Sequence, residues 1–388
     1  MWRRGRGLPC PCCFRVGSMR ARAERCRLLD MTVRSSWFAS ELRRELGLRN
    51  QRWARGRAHV ESYGNPPVIV YTPEHTSDKD LIPTESGRHG NFFDAAYAAI
   101  AARPEWMRRF DKIHAQGREL PKPESGRKWR ELDSSMSSDA LLMNVFCTPG
   151  VAEAPAVRRA MGVEGDDPPV FGWKARVPLR SGRFDRTEVD MRWGELLVEA
   201  KLTESDFQIK AAAVVEAYRD FNAVFDGKLL PRVELATTRQ REATEFPEDY
   251  SQEFEEVRPD AGESASAERF VAPVSARSSA SAVKGISATD GENAYAGYQL
   301  IRNVLAAHAQ ECSFCVIHDE RRPDLREAWF EVMAAVKSAE MRVRLKVLTW
   351  QELAALLPEE LQEFLDQKYG IVAPGSVASS AGNATEFE

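Results

Sequence analysis

Hydrophobic and polar residues alternate along residues 187–193, and a mostly apolar run follows along residues 196–202. The alternating segment has the period of a β-strand with one buried face, and its apolar members are Val189, Met191 and Trp193. Gly194-Glu195 separates the two runs and is typical of a two-residue hairpin turn. The pattern therefore predicts a β-hairpin, whose second strand is interrupted only by two charged residues.

The flanking sequence predicts the elements around this hairpin. Ser137 is a candidate helix N-cap before apolar residues at helical spacing, and Pro149-Gly150 ends that helix. In chain order, the predicted elements are this helix, a strand over residues 171–179, the two hairpin strands, a helix over residues 208–225 and a strand over residues 232–238. The order α-β-β-β-α-β predicts an α/β fold.

Helices and strands alternate again from residue 294 onward. Helices are predicted over residues 294–309, 324–339 and 350–370, and strands over residues 314–318 and 343–348. This spacing indicates additional C-terminal α/β elements that join the same sheet or build an adjoining one.

Composition divides the chain into six segments. Residues 1–31 are rich in Arg and poor in acids, so we expect a disordered extension or a stretch that precedes the natural start. Residues 257–293, rich in Ser and Ala, are typical of a linker, and residues 371–388 of a disordered tail. The remaining segments are a mixed N-terminal region over residues 32–130, a core over residues 131–256 and the C-terminal α/β part over residues 294–370.

The N-terminal region contains weaker signals. Short helices are predicted over residues 36–46 and 91–102, and a short strand over residues 68–71. From Arg103 to Arg130, basic residues are interleaved with aromatic ones. Such a stretch can follow a nucleic-acid backbone and stack on bases, and it can equally be a solvated surface.

Composition also limits the classes of function. The 388 residues carry a formal net charge of −4, so any binding of nucleic acid requires a local basic surface. No apolar run approaches the roughly 18 residues of a membrane span, and no membrane association is expected. The seven cysteines form no regular framework, which favours a reducing cytoplasm over a disulfide scaffold.

The hairpin register brings charged side chains together. A two-residue turn places Asp190 opposite Glu199, with Cβ atoms roughly 5 Å apart, and Lys201 on the same face. Like charges directly opposite each other destabilise a sheet, and such local conflicts are most often found at functional sites. A divalent cation, Mg²⁺ or Mn²⁺, resolves the conflict with two carboxylates, the carbonyl of Ala200 and waters. Lys201 would then orient or help to deprotonate the attacking water of a phosphodiester hydrolysis.

At these residues the sequence resembles the PD-(D/E)XK nuclease superfamily, through Asp190 followed by Glu199-Ala200-Lys201 on the next strand. Over roughly residues 134–370 it is also similar to a family of uncharacterised bacterial restriction-endonuclease-like proteins. The segments that carry this likeness are residues 137–146, 198–207 and 299–303. The resemblance implies an αβββαβ core with a mixed central sheet flanked by helices. It further implies a Mg²⁺-dependent nuclease that acts on nucleic acid, with DNA preferred, and a possible homodimer.

Several alternatives stay open at this point. Many members of the superfamily add an acid from the first helix, for which Glu131 and Asp139 are candidates. The helix and strand that follow Lys201 in the core lie either in residues 208–238 or in residues 294–318. In the second case, Gln299 and Arg302 would approach the site from one helical face. Two other interpretations of the sequence are possible. The protein could have a nuclease fold and bind nucleic acid or a partner protein without cutting, or it could be an α/β domain in which the hairpin acids have a structural role.

Overall fold

The computed structural model describes residues 36–53, 89–113, 130–234 and 293–375. Predictions for residues 1–31, for the strand at residues 68–71 and for the linker at residues 257–293, except Asn293, lie outside the described residues. The same holds for most of the basic and aromatic stretch and for most of the tail. Apart from Glu234 and Asn293, the described residues belong to one compact unit, which comprises Met1–Val233 and Ala294–Glu388.

Short strands and helices alternate through the described residues. The strands are β1 (Val170–Lys174), β2 (Val177–Pro178), β3 (Phe184–Asp185), β4 (Glu188–Trp193), β5 (Leu196–Ala200), β6 (Ile209–Ala211), β7 (Arg232–Glu234), β8 (Asn293–Ala296), β9 (Ser313–His318) and β10 (Leu345–Thr349). The helices are α1 (residues 36–53), α2 (Asp94–Ala101), α3 (Pro104–Met107), α4 (Ser138–Phe146), α5 (Pro155–Met161), α6 (Ala212–Val215), α7 (Phe221–Val224), α8 (Tyr298–Ala309), α9 (Pro323–Ala334), α10 (Ala339–Arg342), α11 (Trp350–Ala354) and α12 (Glu359–Tyr369). Two 3₁₀ helices span Arg108–Asp111 and Glu131–Asp133.

A five-stranded mixed sheet lies at the centre, in the order β1-β4-β5-β9-β10. β4 is antiparallel to both β1 and β5, whereas β9 is parallel to both β5 and β10. The predicted α/β class with a mixed central sheet flanked by helices is confirmed. Smaller sheets are formed by β2 with β3 and by β6, β8 and β7.

The predicted hairpin and its first helix are present. β4 and β5 are joined by Gly194-Glu195 in the predicted register, with Met191 opposite Val198. The Ser137 side chain accepts a hydrogen bond from the N–H of Ala140 and so caps α4. These features depend on interactions between residues close in sequence, which a sequence pattern describes well.

The predicted helix over residues 208–225 is wrong. Gln208 has a φ of +65°, which no α-helix contains, and the chain then forms β6 and two single-turn helices, α6 and α7. β6 pairs with β8, which lies about eighty residues after β6 in the chain. This tertiary pairing overrides the local helical period.

The helix and strand that complete the central sheet therefore come from beyond residue 293. In the central sheet β9 lies next to β5, and α8 directly precedes β9 in the chain. These two elements complete the order α-β-β-β-α-β. Residues 201–297 form an insertion between β5 and α8. The central sheet is thus not contained in residues 131–256, and the C-terminal elements supply two of its strands.

Hydrophobic clusters cover both faces of the central sheet. On the first face, Leu197 and Val316 pack with residues of α8 and α9. On the second face, Val198 and Ile317 pack with residues of α4, α11 and α12. Among the described residues, no helix is long and apolar enough to cross a membrane.

The outer strand pair changes faces at Gly172. Phe171 packs against the cluster of the second face, whereas Trp173 packs against that of the first. Gly172 lies opposite Asp190 in the β1–β4 register and has a φ of +63°, a conformation that a side chain disfavours. The distortion of the strand pair therefore falls at the position of Asp190.

Replacing Gly172 by Ala is expected to destabilise the protein through two effects. A Cβ at this position would overlap with Nη1 of Arg109, whose buried guanidinium is ion-paired with Asp139 and Glu188. The left-handed backbone alone costs about 1–2 kcal/mol with Ala. We expect Gly172→Ala to cost about 2 kcal/mol more than that in unfolding free energy from urea denaturation, because the buried ion pairs are disturbed.

The matched control is Gly182→Ala. Gly182 also has a positive φ, of +79°, but no described atom lies within 4 Å of an added Cβ. This variant should show the backbone cost alone. Equal losses of unfolding free energy in the two variants would contradict the role assigned to the contact between Gly172 and Arg109.

Candidate active site

Asp190 lies where the ladder between β4 and β5 ends. Regular pairing reaches Met191 and Val198. Beyond that pair, the backbone N–H of Ala200 donates to Oδ2 of Asp190 at 2.8 Å, so a side chain takes the place of a main-chain acceptor. The strands thus diverge at the position where the sequence places an acid on each of them.

Glu199 is buried on the first face of the sheet, where α8 covers it. Its Oε1 accepts a hydrogen bond from Nζ of Lys201 at 2.8 Å, and its Oε2 accepts one from Nδ2 of Asn303 at 2.7 Å. A buried carboxylate is costly unless both oxygens are satisfied. The two donors therefore fix the orientation of Glu199.

Lys201 is surrounded by carboxylates. Burial disfavours its ammonium, but the charges of Glu199, Glu204 and Asp190 outweigh burial and hold the pKa of Lys201 above its usual value. Its main chain is also fixed, since its N–H donates to the carbonyl of Ile317 at 2.8 Å and its carbonyl accepts from Nε1 of Trp350 at 2.9 Å. In this arrangement the amine is protonated at neutral pH and acts as a hydrogen-bond donor, not as a base.

The carboxyl group of Asp190 is in an unfavourable electrostatic environment. The residue keeps some exposed surface, yet desolvation by surrounding atoms is the largest cause that raises its pKa well above the usual value. The charges of Glu199 and Asp139 raise this pKa further, whereas Lys201 and the N–H of Ala200 lower it. Three acids therefore share one locality, and Asp190 is the one whose charge is least compensated.

Of the two candidate acids from the first helix, Asp139 is the one whose charge reaches Asp190. Asp139 lies in the first turn of α4, and its Oδ2 accepts hydrogen bonds from Arg109 at 2.7 Å and Lys112 at 2.9 Å. Burial raises its pKa, but these two cations outweigh burial and lower the pKa overall. Glu131 lies in the preceding 3₁₀ helix, and its charge acts on Lys112.

α8 brings one of its two predicted residues to the site. Arg302 is buried and donates to the carbonyl of Glu188 at 2.7 Å, which ties α8 to β4. It also donates to Oδ1 of Asn303 at 2.7 Å, so the amide group of Asn303 is oriented towards Glu199. Gln299 is half-buried, and its side chain makes no hydrogen bond with the described residues.

Three residues of this arrangement were not predicted from the sequence: Asn303, Arg109 and Arg322. Asn303 follows Arg302 directly and lies one helical turn after Gln299, so helical spacing could have indicated it. Arg322 is completely buried, pairs with Asp324 at 2.7 Å and donates to the carbonyls of residues 202, 204 and 205. It therefore fixes the loop that follows Lys201, and no local sequence signal marks that role.

The oxygen atoms available as metal ligands at this site fit a hard divalent cation. The described residues contain no group of three or more His, Cys, Asp or Glu side chains arranged to hold a metal ion. Within these residues, Oδ1 of Asp190 accepts no hydrogen bond, and a cation there would relieve the repulsion between Asp190, Glu199 and Asp139. Two carboxylates with a carbonyl such as that of Ala200 leave several positions for water, as Mg²⁺ favours.

Removing the charge of Asp190 is expected to stabilise the metal-free protein. Because its pKa is raised in the folded state, the folded protein holds a proton that the unfolded chain releases above its pKa of about 3.9. The stability of the wild type therefore falls as pH rises from there to the folded-state pKa. Thermal unfolding in EDTA should show a higher Tm for Asp190→Asn at pH 8, with the gain disappearing towards pH 4.

Asp185→Asn provides a control of opposite sign. Burial raises the pKa of Asp185, but hydrogen bonds from Thr187 and Tyr218 outweigh burial and lower it. Its charged form therefore stabilises the fold, and this stabilisation is lost as pH falls through the lowered pKa. We expect Asp185→Asn to lower Tm at pH 8. A lower Tm for Asp190→Asn at pH 8 would contradict the electrostatic description of the site.

Comparison with known proteins gives one relationship. No curated protein and no solved structure matches this chain. Residues 51–370, which include the central sheet, α8 and all the side chains described above, match the family described as "Restriction Endonuclease associating with ARP". Since this match covers most of the sequence, the chain belongs to that restriction-endonuclease family.

Proposed function

We propose that this protein is a Mg²⁺-dependent nuclease, with Mn²⁺ as an alternative ion, that hydrolyses phosphodiester bonds of nucleic acid, preferably DNA. The observation that carries the proposal is the buried ion pair between Nζ of Lys201 and Oε1 of Glu199, 2.8 Å apart, beside Asp190, whose charge is the least compensated of the three acids. A structural role alone gives no reason to collect three acids at one end of a strand pair. Membership in a restriction-endonuclease family supports the same reaction class.

Each side chain has a distinct role in this proposal. Asp190 offers its open oxygen, and Glu199, held by Asn303, offers the second carboxylate to the cation. The chemistry that bound Mg²⁺ supplies at such a site is polarisation of the phosphodiester and acidification of water. Lys201, protonated between three carboxylates, donates hydrogen bonds that position the attacking water and compensate charge on the phosphate.

Asp139 and its two cations support the site from the side of α4. Arg109 and Lys112 keep Asp139 ionised, so its negative charge persists next to Asp190. That charge attracts positive charge to Asp190, and a divalent cation gains more from this attraction than a proton does. Because Arg109 and Lys112 are committed to Asp139 and Glu188, these two cations belong to the support of the site and leave substrate binding to other residues.

The test is cleavage of plasmid DNA by the purified full chain with Mg²⁺, Mn²⁺ or EDTA. We expect cleavage only with a divalent ion, and a loss of at least about 100-fold in rate for Lys201→Met and for Asp190→Asn. Lys337→Met, a change at an exposed lysine outside the site, should leave the rate unchanged. A parallel RNA substrate determines which nucleic acid is hydrolysed.

Stability measurements separate loss of chemistry from loss of fold. Lys201→Met leaves Glu199 without its ionic partner and is expected to destabilise the protein, so circular dichroism must show that the variant remains folded. Mg²⁺ should raise the Tm of the wild type and of Lys201→Met but not that of Asp190→Asn. Unaltered cleavage by folded Lys201→Met, or cleavage by the wild type in EDTA, would refute the proposed mechanism.

A further inference from the structure

The segment that joins β1 to β4 is strongly basic. Residues 174–186, here called the basic hairpin, contain five cations and one acid, Asp185, in a chain whose net charge is −4. The cations are Lys174, Arg176, Arg180, Arg183 and Arg186, and all five are exposed. Within the described residues, none of the five forms an ion pair with a carboxylate, whereas arginines elsewhere commonly do.

Arg176 and Arg186 lie between the two regular pairings of this hairpin. Lys174 pairs with Glu188 and Val177 with Asp185, and Arg176 and Arg186 belong to neither pairing. Among the described residues, no carboxylate forms an ion pair with either of these two side chains. The guanidinium of Arg176 lies 4.6 Å above the ring of Phe184, which is itself 42% exposed. An exposed aromatic side chain thus accompanies the cations.

Hydrogen bonds anchor the basic hairpin to the protein beneath it. The N–H of Arg180 donates to the carbonyl of Ala217 at 2.9 Å, and the N–H of Arg219 donates to the carbonyl of Pro178 at 3.0 Å. On the inner face, the carboxylate of Asp185 accepts a hydrogen bond from Tyr218 at 2.6 Å. The one acid of the hairpin is therefore turned inward, and the cations are presented on an ordered backbone that loses little entropy on binding.

The basic hairpin also continues directly into the candidate active site. Arg186 precedes Asp190 by four residues, which is roughly 13 Å of extended chain. Phosphates follow each strand of a DNA duplex at about 3.4 Å intervals along its axis. A duplex whose scissile phosphate lies at Asp190 therefore places neighbouring phosphates within reach of these cations.

We propose that the basic hairpin binds the sugar–phosphate backbone of the nucleic-acid substrate next to the bond that is cut. This inference rests on the proposed function, because it takes the scissile phosphate to lie at Asp190. The recognition is electrostatic and independent of base sequence, since guanidinium and ammonium groups contact phosphate oxygens. The hairpin supplies the local basic surface that the overall charge of the chain lacks.

The test measures binding of a fluorescent 30-base-pair DNA duplex in EDTA, where no cleavage is expected, over a range of salt concentrations. The variant Arg180→Gln/Arg183→Gln/Arg186→Gln removes three phosphate contacts and keeps the stacked Arg176. We expect the slope of log K against log salt to fall in magnitude by about 2–3, and affinity at 0.15 M salt to fall roughly 100-fold. The matched control is Arg52→Gln/Arg326→Gln/Lys337→Gln, which changes the same charge at exposed residues of other elements and should bind as the wild type does.

The outcomes distinguish this inference from the proposed function. Equal slopes and affinities for the hairpin variant and the control variant would overturn the inference, whether or not the wild type cuts DNA. A selective loss of binding by the hairpin variant, in a protein that never cuts with Mg²⁺, would support phosphate binding by the hairpin. It would refute the proposed function and, with it, the placement of the hairpin next to a cleaved bond. Measuring the binding of a duplex RNA of the same length shows which nucleic acid the hairpin binds more tightly. Tighter binding of polyglutamate than of either duplex, lost in the hairpin variant, would overturn the inference in favour of an acidic protein partner.

Discussion

Negative charge collected at one end of a buried strand pair is the constraint on which the rest of this structure depends. Glu199 and Asp139 lie close enough to raise the pKa of Asp190, and the three acids have different compensating partners. Glu199 receives a lysine and an amide, and Asp139 receives two cations. Asp190 accepts a single hydrogen bond, from a main-chain N–H, and its negative charge is the least compensated of the three.

The same electrostatic requirement explains features of the residues that surround the acids. A side chain at residue 172 would collide with the guanidinium of Arg109, which lies against the strand there and forms ion pairs with Asp139 and Glu188. Arg302 fixes α8 against β4, and Arg322 fixes the loop after Lys201. These buried arginines therefore hold neighbouring segments together, because the several N–H groups of one guanidinium can bind backbone carbonyls and carboxylates at the same time.

The sequence predicts those parts of the site whose geometry is local. A two-residue turn determines the register of β4 and β5, and the register determines that Asp190, Glu199 and Lys201 are neighbours. The choice between Glu131 and Asp139 depends instead on how α4 is rotated against the sheet, which apolar spacing does not define. The residue before β6 shows the same limit, because the positive φ of Gln208 follows from the pairing of β6 with β8.

Contacts between distant segments account for what the sequence pattern misses. Asn303 and Glu199 are 104 residues apart, and Arg322 and Glu204 are 118 residues apart, so neither contact leaves a periodic signature. From the sequence alone, either of two segments could supply the helix and strand that follow Lys201 in the core. Only the parallel pairing of β5 with β9 identifies the later one.

The insertion of residues 201–297 between two adjacent parallel strands has a consequence for biosynthesis. β5 and its hairpin partner can form as soon as they leave the ribosome, but β9 and α8 are synthesised about a hundred residues later. Closing so large a loop slows the joining of the two halves. A nascent chain therefore carries Glu199 for several seconds, at the usual pace of translation, before the amide of Asn303 can orient it. The hydrogen bonds around Glu199 are completed only after residue 303 has been synthesised.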